Sequence, residues 1–303
     1  MKKCLHLALV SPIENDGAID LGFMENGYGV HRIDWQRYVD PSGAAIEQVG
    51  WPDVVFFQGQ GTAKISPATL DALRAGGAFV VGWTGDVRND VDWYAKMAPH
   101  VDLTLFTNLT DVEKMRALGF KADYLQVGFD HRVFNLGEVE HERKGIVFLG
   151  NHYGTRFPQS AFRKEMVERM KAEFGDEFQY YGNGWGKDVP HASPLKEVEI
   201  YRRALIAIGA DHYLRPYFAS DRLLRSQACG AMVLQQWYPG LVEEHPLVVD
   251  WRTLDELVET CRSMLLSPNK CIAMGGLQSQ YVQQNCRWSS RVQQLETLIA
   301  KYR

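Results

Sequence analysis

Short apolar runs alternate with longer amphipathic segments along the first half of the chain. Runs with the length and composition of buried strands lie at residues 5–10, 30–34, 53–58, 78–83 and 102–107. Between them, helix signals predict a helix at 19–26 and one that has Ser66 as its N-cap, proline next, and Gly76 at its end. A third predicted helix opens with a capping box at Thr110 and stops at Gly119. Strands that alternate with helices predict a parallel sheet covered on both faces.

The second half of the chain repeats this alternation. Predicted strands lie at 145–150, 177–181, 204–210 and 231–235, and predicted helices at 159–174, 194–203, 220–229, 255–266, 269–285 and from about 289. The sequence therefore predicts an α/β protein of two doubly wound domains, 1–134 and 135–285, hinged near Phe134. We expect the C-terminal helix in 286–303 to pack back toward the N-terminal domain. Ligands of such folds bind outside the carboxyl ends of the strands, so the loops after the strands are the candidate sites.

Composition supports a globular protein of two domains. The chain has 303 residues, 46% hydrophobic and 23% charged, which are ordinary globular values. Its longest apolar runs are far shorter than the roughly 20 residues that a membrane span needs, and its N-terminus does not read as a secretory signal. The five cysteines are odd in number and no pair has CxxC spacing, which favours a reducing compartment. We therefore expect a cytoplasmic protein without a membrane span.

The arginines are concentrated in the second half of the chain. Residues 135–303 carry 14 arginines and 7 lysines, although the net charge of the whole chain is −4. Arginine is the better bidentate ligand of phosphate, so this half is the expected place of a phosphate site. The sequence has no concentrated basic run of the kind that general nucleic-acid binding requires.

Several familiar chemistries lack their motifs in this sequence. It has no GxxxxGK[ST], no GxSxG and no GxGxxG after the first strand. The nine histidines show no HxH or HxxxH spacing, so we expect no protein metal site. Asp90 and Asp92 match an Asp-x-Asp pattern, but their position favours charges at the start of a helix.

Five segments, in order, resemble those of GT-B glycosyltransferases, closest to the CgeB-like and family-4-like groups. They are Trp-Thr-Gly-Asp at 83–86, the interdomain segment 124–134, Val-Phe-Leu-Gly-Asn at 147–151 with its following arginines, the helix segment 220–230, and Trp-Ser-Ser-Arg at 288–291. The resemblance spans nearly the whole chain. It implies a GT-B fold, in which two Rossmann-like domains face a central cleft.

The resemblance also implies an activity. Such proteins move a sugar from a nucleoside diphosphate sugar, here with a UDP-sugar favoured, to an acceptor hydroxyl without a metal or another cofactor. The acceptor is a glycan, a small molecule, a protein or a hydroxylated base in DNA. Retention of anomeric configuration fits the family-4 likeness. The alternatives are a non-catalytic protein that binds sugars or partners, and a nucleotide-sugar epimerase.

The candidate donor-binding residues lie in the second half of the chain. Arg156 is a candidate catalytic residue, because a cation stabilises the leaving diphosphate. The helix that begins at Ser220 is expected to expose free N–H groups to a pyrophosphate. The remaining donor-binding candidates are Gly150, Asn151, Arg163, Gly182, Asn183, Trp185, Tyr217, Asp221, Arg222 and Arg225.

Two of these candidates have open interpretations. Arg225 stands where the family commonly has a glutamate for the donor ribose, and a guanidinium cannot accept hydrogen bonds. Either Asp221 takes that role, or the donor is held differently, or transfer is lost, and Arg225 itself meets phosphate or an acidic sugar. Trp185 offers a stacking face for a nucleobase, with the glycines beside it allowing close approach, or it is a core tryptophan.

The acceptor-side candidates lie in the first half of the chain. Asp86 follows a predicted strand and is a candidate catalytic base or ligand of a sugar hydroxyl, or else a turn aspartate. Glu14 and Asp16 follow the first strand, and Gln58 ends the strand at 53–58. All three are candidates for contact with the acceptor.

Overall fold

The computed structural model describes residues 1–9, 16–34, 50–60, 65–87, 90–138 and 142–303, except the side chains of Asp16 and Pro194. The chain divides into two compact units. The first comprises Met1–Asp130 and Arg287–Arg303, and the second comprises His131–Cys286. The chain therefore crosses between the units twice, after Asp130 and after Cys286.

The first unit is built on a parallel sheet of six strands. The strands are β1 (Lys2–Ala8), β2 (Tyr28–Asp34), β3 (Val54–Gln58), β4 (Phe79–Thr84), β5 (Leu103–Phe106) and β6 (Ala122–Tyr124). The helices between them are α1 (Asp16–Glu25), α2 (Pro67–Ala75), α3 (Asp92–Met97) and α4 (Leu109–Ala117), and a 3₁₀ turn spans Ala98–His100. The strand order is β2-β1-β3-β4-β5-β6 with every neighbouring pair parallel. Its core is apolar on both faces of the sheet, as the near-continuous hydrophobic strands require.

The second unit is built on a parallel sheet of five strands. They are β7 (Lys144–Leu149), β8 (Phe178–Tyr181), β9 (Ala204–Gly209), β10 (Met232–Gln236) and β11 (Val249–Trp251), in the order β11-β10-β9-β7-β8. The helices are α5 (Ser160–Phe174), α6 (Pro194–Arg203), α7 (Asp221–Ala228), α8 (Leu241–Glu244), α9 (Leu254–Leu265) and α10 (Pro268–Asn285), and a 3₁₀ turn spans Gly175–Glu177. All neighbouring strands are again parallel. The predicted α/β class with two doubly wound sheets is confirmed.

The last helix, α11 (Trp288–Tyr302), belongs to the first unit and packs against α1. Gly22 of α1 is the contact point, since a Cβ there would lie 2.7 Å from the backbone carbon of Trp288. The Trp288 ring lies edge-on to Trp83, with 5.3 Å between the ring centroids, and Arg291 Nε donates to the carbonyl oxygen of Val127 at 3.0 Å. These contacts make the C-terminal helix a part of the first core.

Helix caps account for two of the predicted boundaries, one confirmed and one wrong. Ser66 caps α2, its Oγ accepting from the backbone N–H of Thr69 at 3.2 Å. The predicted capping box at Thr110 is wrong, because α4 begins at Leu109 and its N-cap is Asn108. Asn108 Oδ1 accepts from the N–H of Asp111 at 2.9 Å, so an amide takes the place of the expected hydroxyl.

Phe134, where the hinge was expected, is buried within the second unit. Its carbonyl accepts from Gln283 Nε2 at 3.0 Å, and its ring lies beneath the guanidinium of Arg225, 4.9 Å from centroid to Cζ. The next residue, Asn135, is held by Arg202, whose Nε donates to its carbonyl at 2.8 Å. The chain crosses between the units at 130/131 and 286/287, beside the predicted boundaries at 134/135 and 285/286.

Candidate functional site

The topology of the second sheet places a ligand site between β7 and β9. From β7 the chain moves outward to β8, and then returns to the other side of β7 as β9. At such a switch point the loops after the two strands run apart and leave a crevice at the carboxyl edge. The two loops here begin at Gly150 and at Ala210, so the predicted donor-binding residues lie in or beside them.

Arg163 lies at this crevice as a buried cation with missing partners. It is on α5 with 1% of its surface exposed, and its Cζ is 5.3 Å from the centroid of the Phe148 ring. Its Nη1 contacts the imidazole of His212, whereas Nε and Nη2 have no hydrogen-bond partner among the described residues. A Cβ at Gly150 would lie 2.3 Å from Nη2, so a larger residue there would displace the guanidinium.

The electrostatics of this arginine follow from its burial. Burial, followed by the charge of Arg222, lowers the pKa of Arg163 to about 9, while Asp211 opposes that shift. An unpaired buried donor costs about 1–3 kcal/mol, and more when the group is charged. A buried donor without a partner is rare in native proteins, and a catalytic role or a bound ion is among the explanations for one.

His212 was missed in the sequence and is the one hydrogen-bond partner of the Arg163 guanidinium among the described residues. Burial, with the neighbouring charge of Arg163, lowers the pKa of His212 to about 3, so the ring is neutral and accepts from the guanidinium. Aromatic rings surround it, with Phe157 at 4.7 Å and Tyr153 at 5.2 Å between centroids. The available signal was a histidine directly after an aspartate at the end of a buried strand.

The N-terminus of α7 differs from the open anion site that the sequence predicted. The carboxylate of Asp211 accepts hydrogen bonds from both the hydroxyl and the backbone N–H of Ser220. The carboxylate of Asp221 accepts from the backbone N–H of Arg222. Two carboxylates therefore already occupy donors that we had assigned to a pyrophosphate. A small cavity beside them is lined by Asp211, Ser220, Arg222, Ser226 and Gln235.

Arg225 is held inside the second unit by two carboxylates. Its Nη1 lies 3.0 Å from Glu197 Oε2, and its Nη2 lies 2.6 Å from Asp221 Oδ2. Arg225 is 8% exposed, whereas Arg222, three residues earlier, is partly exposed and interacts electrostatically with Asp221 and Asp211. The two arginines, three residues apart on one helix, thus differ in their surroundings.

The loops after β7 and β8 pack tightly on each other. Asn151 Oδ1 accepts from the N–H of Asn183 at 2.8 Å, and Trp185 Nε1 donates to the carbonyl of Gly150 at 2.6 Å. Gly182 has φ +139°, and a Cβ there would lie 2.5 Å from the same carbonyl oxygen. The space beside this glycine, expected to admit a nucleobase, is filled by the β7 loop.

Trp185 is a partly buried tryptophan with one face covered. His152 stacks on it at 4.7 Å between centroids and 26° between planes. Phe148 and Tyr180 meet the indole ring edge-on at 6.2 and 5.8 Å. The role of Trp185 in holding a base stays a prediction.

Two further candidates stand at the rim of the crevice. Tyr217 has φ +61°, a conformation that costs about 1–3 kcal/mol in a non-glycine residue. Its N–H donates to the carbonyl of Pro239 at 2.7 Å, and its ring lies where a Cβ of Gly240 would be. Arg156 is exposed, with its guanidinium 5.3 Å from the Phe157 ring.

In the first unit, a series of hydrogen-bonded polar side chains lies beneath the switch point of the first sheet, which is between β1 and β3. Gln58 is buried, and its Oε1 accepts from Leu9 N and lies 3.0 Å from His6 Nε2. His6 Nδ1 lies 2.5 Å from Asp20 Oδ1. Burial favours the neutral acid, but His6 and Arg32 together lower the pKa of Asp20. The sequence signal for His6 was a single polar residue within an apolar strand.

The other acceptor-side candidates are less defined. Asp86 is exposed directly after β4, and its N–H donates to Thr84 Oγ1 at 3.4 Å. Asp16 begins α1, but its side chain lies outside the described residues, as does all of Glu14.

The Asp-x-Asp pair lies at the start of a helix. Asp92 is the first residue of α3 and its N–H donates to Asp90 Oδ1 at 3.2 Å. Across the ranges that the structure describes, no three or more His, Cys, Asp or Glu side chains are grouped to hold a metal. Nor is any helix within those ranges long and apolar enough to cross a bilayer.

Comparisons with known proteins agree with this architecture. Residues 162–297 match the family model described as glycosyl transferase-like. No curated protein sequence matches the chain.

Solved structures resemble the chain over nearly its whole length at low sequence identity. Sucrose-phosphate synthase from Thermosynechococcus elongatus has 10% identity and a TM-score of 0.66, with 99% of each chain covered. Anabaena HepE in complex with UDP-glucose has 10% identity and a TM-score of 0.61, with 99% of this chain and 100% of that one covered. The pneumococcal O-GlcNAc transferase GtfA, in complex with UDP and GlcNAc, has 13% identity and a TM-score of 0.53, covering 86% of this chain and 59% of that one.

These matches confirm the predicted resemblance at the level of the fold, whereas the narrower likeness to CgeB-like and family-4-like groups stays a prediction. The chain is a two-unit protein of the GT-B glycosyltransferase fold whose residues 162–297 match the glycosyl transferase-like family model.

Proposed function

We propose that this protein transfers a sugar from a nucleoside diphosphate sugar, a UDP-sugar by preference, to an acceptor hydroxyl. The observation that carries the proposal is Arg163, a buried cation with two unpaired nitrogens beside the switch point of the second sheet, within the residues 162–297 that match the glycosyl transferase-like family model. The structural neighbours in complex with UDP or UDP-glucose support the choice of nucleotide.

The chemistry of the transfer fits the charges around this crevice. Departure of the nucleoside diphosphate leaves negative charge on the phosphate oxygens, and guanidinium groups stabilise it through charge-assisted hydrogen bonds. Arg222 lines the cavity beside Ser220, Arg163 faces Asp211 from α5, and the exposed Arg156 lies in the loop after β7. We propose that these side chains stabilise the leaving diphosphate without a metal ion. We also propose that the anomeric configuration of the sugar is retained.

We assign the acceptor to the first unit. Gln58 lies at the β1/β3 switch point and Asp86 follows β4, so both belong to the carboxyl edge where ligands of such sheets bind. Asp86 is proposed as a base or a ligand of a sugar hydroxyl. The five cysteines are buried and none is in a disulfide, which supports a reducing compartment, and we propose a cytoplasmic protein.

Isothermal titration with UDP, UDP-glucose, UDP-GlcNAc and GDP-mannose tests the proposal. We expect binding of at least one uridine nucleotide in the presence of EDTA, followed by release of UDP from the sugar nucleotide. The proposal would be overturned if none of these four nucleotides binds. Binding that vanishes with EDTA would overturn its metal-independent part.

The pairing of Arg225 favours one second candidate, a protein that binds a sugar nucleotide without turning it over. Arg225 and Asp221 neutralise each other, so neither is placed to hold a donor ribose. Hydrolysis of the sugar nucleotide in the absence of acceptor separates the two functions. Slow release of UDP supports a transferase, and tight binding without release supports the binding protein.

A further inference from the structure

Asp211 is a buried carboxylate at the place where the phosphates of a donor are expected. It is 3% exposed, follows β9, and accepts from the hydroxyl and the N–H of Ser220. Its Oδ2 also lies 3.3 Å from Gln235 Nε2 on β10. The hydrogen-bond donors at the start of α7 thus already donate to a carboxylate of the protein itself.

The charges that face Asp211 come from several elements. They are Arg163 from α5 and Arg222 from α7, and the neutral hydroxyl of Tyr238, from the loop after β10, lies on the same side. Around the same helix terminus, Arg225 is matched by Asp221 and Glu197. Around the start of α7, three guanidinium groups are therefore balanced by three carboxylates of the protein.

A diphosphate brings at least two negative charges into this balanced cluster. A second anion within hydrogen-bond distance of a buried carboxylate strongly favours protonation of one of the two acids. The terminal phosphate of UDP is ionised above about pH 6, as phosphate monoesters are. Asp211 is the buried acid nearest to the shared donors, so it is the group that gains the proton.

We propose that Asp211 fills the phosphate position at the N-terminus of α7 in the free protein and takes up one proton from solvent when a nucleoside diphosphate binds. This inference rests on the proposed function of the crevice. The neutral acid then donates its O–H to a phosphate oxygen, and Ser220 is shared between the two. The proton comes from water or buffer, and no covalent bond is made or broken.

The environment of the free carboxyl already favours this step. Burial raises the pKa of Asp211 above its usual value, against the lowering effects of Arg222, Ser220 and Arg163. A ligand that draws Arg163 and Arg222 toward its own phosphates weakens both opposing charges. Protonation is the response that restores the balance of the cluster.

Calorimetric titration of the unmodified protein with UDP measures the step directly. Repeating the titration at pH 7.5 in buffers of different ionisation enthalpy gives the number of protons exchanged. We expect an uptake of about one proton per UDP, and an affinity that falls up to about tenfold per pH unit from pH 7 upward.

An isosteric variant identifies the group. Asp211→Asn keeps an acceptor for Ser220 and imitates the neutral acid, so it is expected to bind UDP without proton uptake. Its affinity at pH 8 should equal or exceed that of the parent protein and change less than about twofold between pH 7 and pH 8. Asp176→Asn, an exposed acid in the 3₁₀ turn before β8, is the matched control and should behave as the parent does.

The outcomes separate this proposal from the one on which it rests. UDP binding by the parent without proton uptake contradicts the role of Asp211 and leaves the nucleotide site intact. Uptake that persists in Asp211→Asn also contradicts it. If the parent binds none of UDP, UDP-glucose, UDP-GlcNAc and GDP-mannose, the proposed function fails instead. The proton count of the parent needs no variant, so a poorly folded Asp211→Asn does not remove the test.

Discussion

Arg163 is a charged side chain held almost entirely out of water with two of its three nitrogens unpaired. Removal of such a cation relieves its desolvation, and the carboxylate of Asp211, which Arg163 also faces, keeps Arg222 and Ser220 as partners. We therefore expect the residue to contribute little to stability. In the proposed function, its two unpaired nitrogens donate to acceptors of the ligand.

Arg163→Met is expected to unfold at the same temperature as the parent protein or higher, yet to bind UDP at least about tenfold more weakly, a loss of about 1.4 kcal/mol. Thermal unfolding with and without UDP, together with calorimetry, measures both effects. Arg169→Met, an exposed arginine on the same helix, is the control and should change neither by much. A marked destabilisation with unchanged UDP affinity would make Arg163 a structural residue.

His212 is expected to make the protein less stable as pH falls. Its pKa is about 3 in the folded chain and ordinarily 6.5, so the unfolded chain binds the extra proton first. Stability from the neutral ring is complete above pH 6.5 and is lost progressively as pH falls from there toward 3. We expect the free energy of unfolding, measured with urea, to fall less between pH 7.5 and pH 5 in His212→Gln than in the parent protein. The exposed His191→Gln should keep the difference of the parent.

Helices α6 and α7 are joined by the ion pair between Glu197 and Arg225. Both side chains are buried, and Arg225 extends the link to Asp221 and to the ring of Phe134. Burial raises the pKa of Glu197, with Arg225 opposing that rise, so the carboxylate depends on its partner. Removing one member of such a pair costs more than removing both.

Arg225→Met is expected to destabilise the second unit by about 3–5 kcal/mol, because it leaves the carboxylate of Glu197 buried without its cation. The double variant Arg225→Met with Glu197→Leu should recover most of that loss. Urea unfolding of the single and double variants forms a double-mutant cycle. Equal stabilities of the single and double variants would contradict the pairing.

Packing of α1 on α11 depends on the absence of a side chain at Gly22. A methyl group there meets the Trp288 backbone at 2.7 Å, so Gly22→Ala should destabilise the first unit by about 1–3 kcal/mol despite the helix preference for alanine. Gly276→Ala on α10 meets nothing within 4 Å and should stabilise by about 0.5–1 kcal/mol. Thermal unfolding compares the pair, and a stabilised Gly22→Ala would refute the close contact.

For the whole molecule, the alternation of apolar runs was sufficient to predict both sheets. The helix predicted at 194–203 is α6, Pro194–Arg203, because its caps and period are local properties of the chain. The strands β6 and β11 were missed, because three residues are too few to show a period. Local patterns thus account for most of the fold.

The candidate site was less predictable, because charge partners come from distant parts of the chain. Arg163 was found as an arginine after a strand, but its contact with His212 joins α5 to the loop after β9, which only the fold brings together. Asp211 was missed as the partner of Ser220 for the same reason. A sequence shows which groups are charged, whereas the fold decides which of them are already neutralised.

The two crossings of the chain have a consequence for the order of folding during synthesis. The second unit is one continuous stretch, His131–Cys286, and it can complete its core as soon as that stretch has left the ribosome. The first unit must wait for Trp288, although its six strands are made first. Until then the surface of α1 around Gly22 and the ring of Trp83 lack their cover. The nascent chain therefore carries its earliest-made half unfinished while its later half closes, which makes that half the expected client of a ribosome-associated chaperone.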